Sequence, residues 1–97
     1  MFLPSELEPL YDSFADQAYA PATLDAKTKE LIALACSVMA DCVPCIEWHH
    51  QQAVKHGAQP EEVRETLAIT MTVSAGSKRA KYRGLVARLG EVSSAHA

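Results

Sequence analysis

Apolar residues recur at helical spacing along most of the chain. Leu7, Leu10, Tyr11, Phe14 and Ala18 lie three or four residues apart, the one-sided stripe of an amphipathic helix. Ser5 followed by Glu8 has the form of a capping box and predicts the start of that helix. "APAT" at 20–23 predicts its end. A second helix has Asp25 as its expected N-cap and a stripe of Leu31, Leu34, Ala35 and Val38. Ile32, Cys36 and Met39 run beside that stripe, and so broad an apolar surface predicts burial on more than one side. Asp41 to Val43 turn the chain. Pro44 suits a first helical position, where the missing N–H would be unpaired anyway. A third helix is expected to about His56, with Gly57 as its stop. Pro60 and Glu61-Glu62 begin a fourth, carrying Val63, Leu67, Ile69, Thr70 and Met71, and "SAGS" at 74–77 predicts its end. A fifth is expected from Lys78 to Leu89 with Tyr82, Leu85, Val86 and Leu89 on one face, closed by Gly90, and 91–97 as a frayed tail. No stretch alternates like a strand and no repeat is visible. The expectation is an all-α chain of about five helices forming one domain over 1–97.

Composition adds bounds. The 97 residues are 48% hydrophobic and 22% charged with net charge −3, enough for one modest core. "MFLPSELEPL" has neither the basic nor the apolar region of a secretory signal. "LIALACSVMA" is too short to span a bilayer. Three cysteines do not suit a secreted disulfide framework. The expected location is the cytoplasm, where a Cys-x-x-Cys points to redox or metal chemistry. The broad apolar faces exceed what five short helices hide from water and predict self-association. Lys78, Arg79, Lys81, Arg83 and Arg88 gather on the last helix, a solvated face or one that pairs with Glu61, Glu62 and Glu65 of another subunit. An acidic chain without a recognition motif is not expected to bind nucleic acid.

The chemistry concentrates in "DCVPCIEWHHQQAVKHG". Cys42 falls just before the third helix and Cys45 in its first turn, where free N–H groups and the helix dipole favour a thiolate. An ordinary cysteine, with pKa near ~8.5, is a few per cent thiolate at neutral pH, and Cys-x-x-Cys motifs at helix starts often lower that value. His49, four residues beyond Cys45, shares its helical face and suits proton transfer near neutrality. A second cysteine three residues away can capture an oxidised partner as a disulfide. Two other readings remain open on these residues: an inert core pair, or zinc held by Cys42, Cys45 and His49 or His50. Zinc wants four ligands, and His56 lies about 10 Å beyond His49 along the helix, so another subunit would have to complete the site. Cys36, Trp48 and Ile46 are expected to pack in the core, with His50 at a surface or interface and Glu47 solvated.

Glu30, eleven residues, Cys42-x2-Cys45, three residues and His49, set within "LDAKTKELIALA" and "HHQQAVKHGAQPEEVRETLAI", resemble the motif of the alkylhydroperoxidase D-like branch of the carboxymuconolactone decarboxylase superfamily. The resemblance covers residues 24–73. It implies a single-repeat alkylhydroperoxidase D-like helical bundle completed by oligomerisation, with a hexamer or trimer expected. It implies a peroxidase or disulfide oxidoreductase in which Cys45 attacks, Cys42 closes the disulfide, and Glu30 and His49 relay protons. The implied partners are a hydroperoxide or disulfide substrate and an external lipoyl-like or thioredoxin-like dithiol. No cofactor beyond the Cys42–Cys45 redox disulfide and no metal is implied. Pro44 replaces a histidine of the family pattern, and the resulting "CVPC" is similar to thioredoxin-type sites, where the first cysteine (here Cys42) attacks. Residue spacing alone puts Glu30 about 15 Å before the end of its helix, where its other reading is a surface charge beside Lys27 and Lys29. The alternatives to thiol redox chemistry are a metal-binding or structural oligomer and a decarboxylase-like enzyme.

Overall fold

The computed structural model describes residues 2–96, with side chains from Phe2 to Glu91. It is all-α: α1 (Glu8–Tyr19), α2 (Ala26–Met39), α3 (Val43–Lys55) and α4 (Pro60–His96). α2 is central, packing against α3 and α4 and more lightly against α1. Among the described residues no helix is long and apolar enough to cross a membrane.

Helix ends explain how the chain reaches the Cys-x-x-Cys segment. Asp25 caps α2 by accepting the Thr28 N–H at 2.8 Å, and hydrogen bonding from Thr28, its side chain first and then this N–H, lowers the Asp25 carboxyl from its ordinary value. α2 and α3 end in the same hydrogen-bond pattern. After α2, Asp41 N–H reaches the Val38 carbonyl and Cys42 N–H the Ser37 carbonyl; after α3, Gly57 N–H reaches Val54 and Ala58 N–H reaches Ala53. Both are Schellman caps, which place one residue in the left-handed region. At α3 that residue is Gly57 with φ 96°, and at α2 it is Asp41 with φ 54°. Aspartate tolerates this region better than most side chains. The sharp reversal delivers Cys42 as the N-cap of α3.

Three expectations are corrected. The capping box does not form: Leu7 is the N-cap of α1 without a side-chain bond. Glu8 instead reaches back to accept the N–H groups of Phe2 and Leu3 at 2.6 Å each, while Ser5 Oγ donates to Glu6. Secondly, the fourth and fifth helices are one, α4, running unbroken through 74–77 and Gly90, and the expected tail is helical to His96; Ala97 lies outside the described residues. A helical glycine costs only about 1 kcal/mol against alanine, and this segment holds no proline after Pro60. Alanine, leucine, lysine and arginine on either side carry the helix through.

The third correction concerns the core, which is small and rotated from the expected stripe. Ala33, Leu34, Ala53 and Ala58 are its buried apolar residues, joined by Glu30, Ser37, His49 and Thr70. On α2 the buried face is Glu30, Ala33, Leu34 and Ser37, about one residue around the helix from Leu31, Leu34, Ala35 and Val38. Ile32, Cys36 and Met39 form an exposed second stripe. The expectation that Cys36 and Trp48 sit in the core is therefore wrong: Cys36 is exposed and Trp48 is 57% exposed. The α1 stripe of Leu7, Leu10, Tyr11 and Phe14 and the α4 face of Tyr82, Leu85, Val86 and Leu89 are also open to solvent. A radius of gyration of 19.5 Å compares with about 13 Å for a compact chain of this length.

Candidate active site

The cysteine pair stands at the start of α3 as a disulfide, with Cys42 and Cys45 Cα atoms 5.2 Å apart. Cys42 is the N-cap and Cys45 lies in the first turn, as the spacing predicts, although Val43 takes the first helical position and Pro44 the second. The Cys45 N–H points at Cys42 Sγ, 3.3 Å away. Sulfur here occupies the place that an aspartate or serine oxygen takes in an ordinary cap, satisfying one of the unpaired N–H groups of the helix start.

Glu30 and His49 meet. The His49 Nδ1 lies 2.7 Å from Glu30 Oε2, with both side chains only 10% exposed. The contact follows from comparing both distances to the α2–α3 turn. Glu30 lies about 15 Å before it and His49 about 10 Å after it, so the axial offset is only about 5 Å. Two long side chains cover that gap. The surface-charge reading of Glu30 fails as well: Lys27 pairs with Glu62 of α4 at 2.8 Å, and Lys29 is committed to the end of α1. A carboxylate on Nδ1 fixes the ring orientation and leaves Nε2 for chemistry.

Tyr19 takes up that nitrogen. Its hydroxyl is 3.4 Å from His49 Nε2, and the two ring centroids are 5.1 Å apart at a tilt of 43°. Partial burial, helped by Glu30, Tyr11 and Cys36, raises the Tyr19 phenol above its ordinary value. Lys29 anchors this end of α1, donating from Nζ to the carbonyls of Ala18 at 3.0 Å and Ala20 at 2.5 Å. A lysine on terminal carbonyls also complements the negative end of the helix dipole. Sequence reasoning missed Tyr19; its one available signal was a hydrogen-bonding aromatic immediately before the "APAT" break.

These groups share one open cleft of about 460 Å³ between α1, α2 and the start of α3. Cys42, Cys45, His49, Tyr19 and Lys29 line it together with apolar Leu24, Ile32 and Ala33. Cys36 lines it too, so the second apolar stripe of α2 serves as a cleft wall. Among the described residues no group of three or more histidine, cysteine, aspartate or glutamate side chains is arranged to hold a metal ion. His50 is exposed and sits beside a separate hollow near Pro60 and Val63.

Residues 5–87 match the model of the carboxymuconolactone decarboxylase family. The chain belongs to this family. Family membership agrees with the resemblance drawn from the Glu30, Cys42, Cys45 and His49 spacing. The chain is 34% identical over 77 residues to "Uncharacterized protein 4 in cox locus" of Paracoccus denitrificans, a match spanning 79% of this chain and 69% of that one. It is 41% identical over 54 residues to an uncharacterized protein of Cupriavidus necator, of which the match spans 48%. Among solved structures, a family protein of Thermotoga maritima superimposes with TM-score 0.71 and 30% identity over 97% of both chains. A part in the antioxidative response has been suggested for that protein. A Methanobacterium thermoautotrophicum protein gives TM-score 0.75 at 26% identity, over 84% of this chain and 88% of its own.

Proposed function

We propose that this chain is a thiol-dependent oxidoreductase that reduces hydroperoxides through the Cys42–Cys45 dithiol, with disulfides of partner molecules as the alternative oxidant. The observation that carries this reading is a disulfide at a helix N-terminus, lining one cleft with His49, whose ring is held from behind by buried Glu30. In the reduced protein Cys45 is the attacking group, one helical turn from His49. Its thiolate forms an S–O bond to the distal oxygen of the hydroperoxide as the O–O bond breaks. The leaving oxygen takes a proton and departs as an alcohol. The Cys42 sulfur then displaces water from the Cys45 sulfenic acid and restores the disulfide. An external dithiol, lipoyl-like or thioredoxin-like, attacks Cys45 and releases Cys42 as a thiolate, becoming oxidised itself. Cys42 suits that leaving role because the Cys45 N–H and the α3 dipole favour its charge. The suggested antioxidative role of the Thermotoga maritima relative points the same way.

In this reading the protein works as a homo-oligomer, a hexamer or trimer. The exposed stripes of α1 and α4 are what a second copy would cover, and single-chain burial is too slight to account for a stable small domain.

The test is stoichiometric. Fully reduced protein mixed with a small alkyl hydroperoxide is expected to consume one equivalent and lose two thiols, with Cys42–Cys45 the disulfide recovered by peptide mapping. Protein that keeps both thiols through excess hydroperoxide, and through excess disulfide of a small dithiol, would defeat the reading.

A further inference from the structure

Tyr19 has no part in the motif, comes from a different helix, and faces the one imidazole nitrogen that Glu30 leaves free. Three features make this more than a chance contact. The tyrosine is held in place by Lys29, which ties both flanking carbonyls, Ala18 and Ala20. Tyr19 and Cys45 line the same cleft. The arrangement also has a consistent hydrogen-bond order: with Nδ1–H donated to the Glu30 carboxylate, Nε2 is an acceptor and the Tyr19 hydroxyl donates to it, leaving its oxygen lone pairs free to accept. Hydroxyl-to-imidazole contacts of this length often tighten when substrate arrives.

The geometry points to Tyr19 as the cleft-side end of a Glu30–His49–Tyr19 proton relay that delivers the proton to the leaving oxygen of the hydroperoxide. This assignment rests on the thiol-oxidoreductase reading and deepens it by naming the proton donor. In the reduced site Cys45 rests as a thiolate and the proton it has lost resides on His49 Nε2, which then donates to the Tyr19 oxygen and frees the Tyr19 O–H to donate. The imidazolium so formed is balanced by Glu30. Attack by the preformed thiolate does not itself require Tyr19. When the thiolate attacks and the O–O bond breaks, the departing alkoxide takes the proton of Tyr19, and Nε2 returns one to the phenol. The proton lost by the thiol is the proton gained by the alcohol, and Cys45 leaves as a sulfenic acid. Tyr19 carries the proton without ever ionising, which fits a phenol raised above its ordinary value.

A donor at the leaving oxygen matters most when that oxygen is a poor leaving group. An alkyl hydroperoxide releases a strongly basic alkoxide, whereas a peroxycarboxylic acid releases a carboxylate that needs no proton. Tyr19→Phe keeps the ring against His49 and removes only the hydroxyl. The expected result is a loss of roughly 10- to 100-fold in the second-order rate with tert-butyl hydroperoxide, up to the lower limit of the roughly 10²–10⁴-fold that positioned acid catalysis supplies. With peracetic acid the loss is expected to stay within about threefold, since a group that does not protonate the leaving oxygen is not needed there. Equal losses with both oxidants, or none with either, would overturn the relay and reduce Tyr19 to a packing residue. Wild-type protein inert to both oxidants would overturn this assignment together with the hydroperoxide arm of the parent reading, leaving only its disulfide arm, so the two failures are told apart by the wild-type control.

Discussion

Cys45→Ser is expected to abolish oxidation by hydroperoxide, lowering the second-order rate by at least ~10³-fold, because the thiolate is the nucleophile and a serine hydroxyl at neutral pH is not one. Cys42→Ser is expected to behave differently. Its first reaction should run near the wild-type rate and stop at a Cys45 sulfenic acid, trapped by dimedone and located by mass spectrometry. The contrast assigns the two sulfurs. Cys45 lies a turn from His49, where proton transfer assists attack, and Cys42 caps the helix, where the Cys45 N–H stabilises the sulfur that leaves. A Cys45→Ser protein that still reacts at the wild-type rate, beside an inert Cys42→Ser protein, would exchange the roles. Cys36 remains in both variants and sets the background.

Glu30→Ala is expected to cost both rate and stability. The substitution leaves His49 Nδ1 without its acceptor inside a site where both side chains are 10% exposed. An abandoned buried donor costs about 1–3 kcal/mol, and each kcal/mol corresponds to roughly 4–8 °C in Tm for a domain of this size. Without the carboxylate the ring loses its fixed orientation and its charge partner, so the hydroperoxide rate should fall about 100-fold. Thermal unfolding at matched protein concentration and stopped-flow oxidation read the two effects separately. Unchanged Tm together with an unchanged rate would show that the Glu30–His49 contact does neither job.

The parts legible in the sequence were those set by local chemistry. Asp25, Gly57, and Cys42 with Pro44 at the start of α3 mark helix ends because each acts within a few residues of itself: a side-chain acceptor for Thr28 N–H, a left-handed backbone, a ring with no N–H. The approach of Cys45 and His49 to one helical face is likewise a property of one helix. Glu30 and His49 are nineteen residues apart in sequence, and their meeting depends on how α2 lies against α3, which periodicity alone does not state. The same packing turns α2 so that Glu30 faces inward and Cys36 faces the cleft, reversing what hydrophobicity suggested for both. Tyr19 belongs to a third helix and is brought in by Lys29, a residue that reads as a surface charge until the carbonyls of Ala18 and Ala20 are in view. α4 departs from its expected break for the opposite reason: Ser74, Gly76 and Ser77 look like punctuation, yet each weakens a helix only slightly.

Everything in the proposed chemistry depends on the Cys45 sulfur being a thiolate at neutral pH once the disulfide is reduced. The direct measurement is the rate of iodoacetamide alkylation at each cysteine of the reduced protein across pH, read by mass spectrometry. The account predicts a Cys45 profile with its midpoint well below the ~8.5 of an ordinary cysteine and a neutral-pH rate above that of Cys36. A Cys45 that alkylates only as the pH rises past ~8.5, no faster than in the unfolded chain, would contradict it.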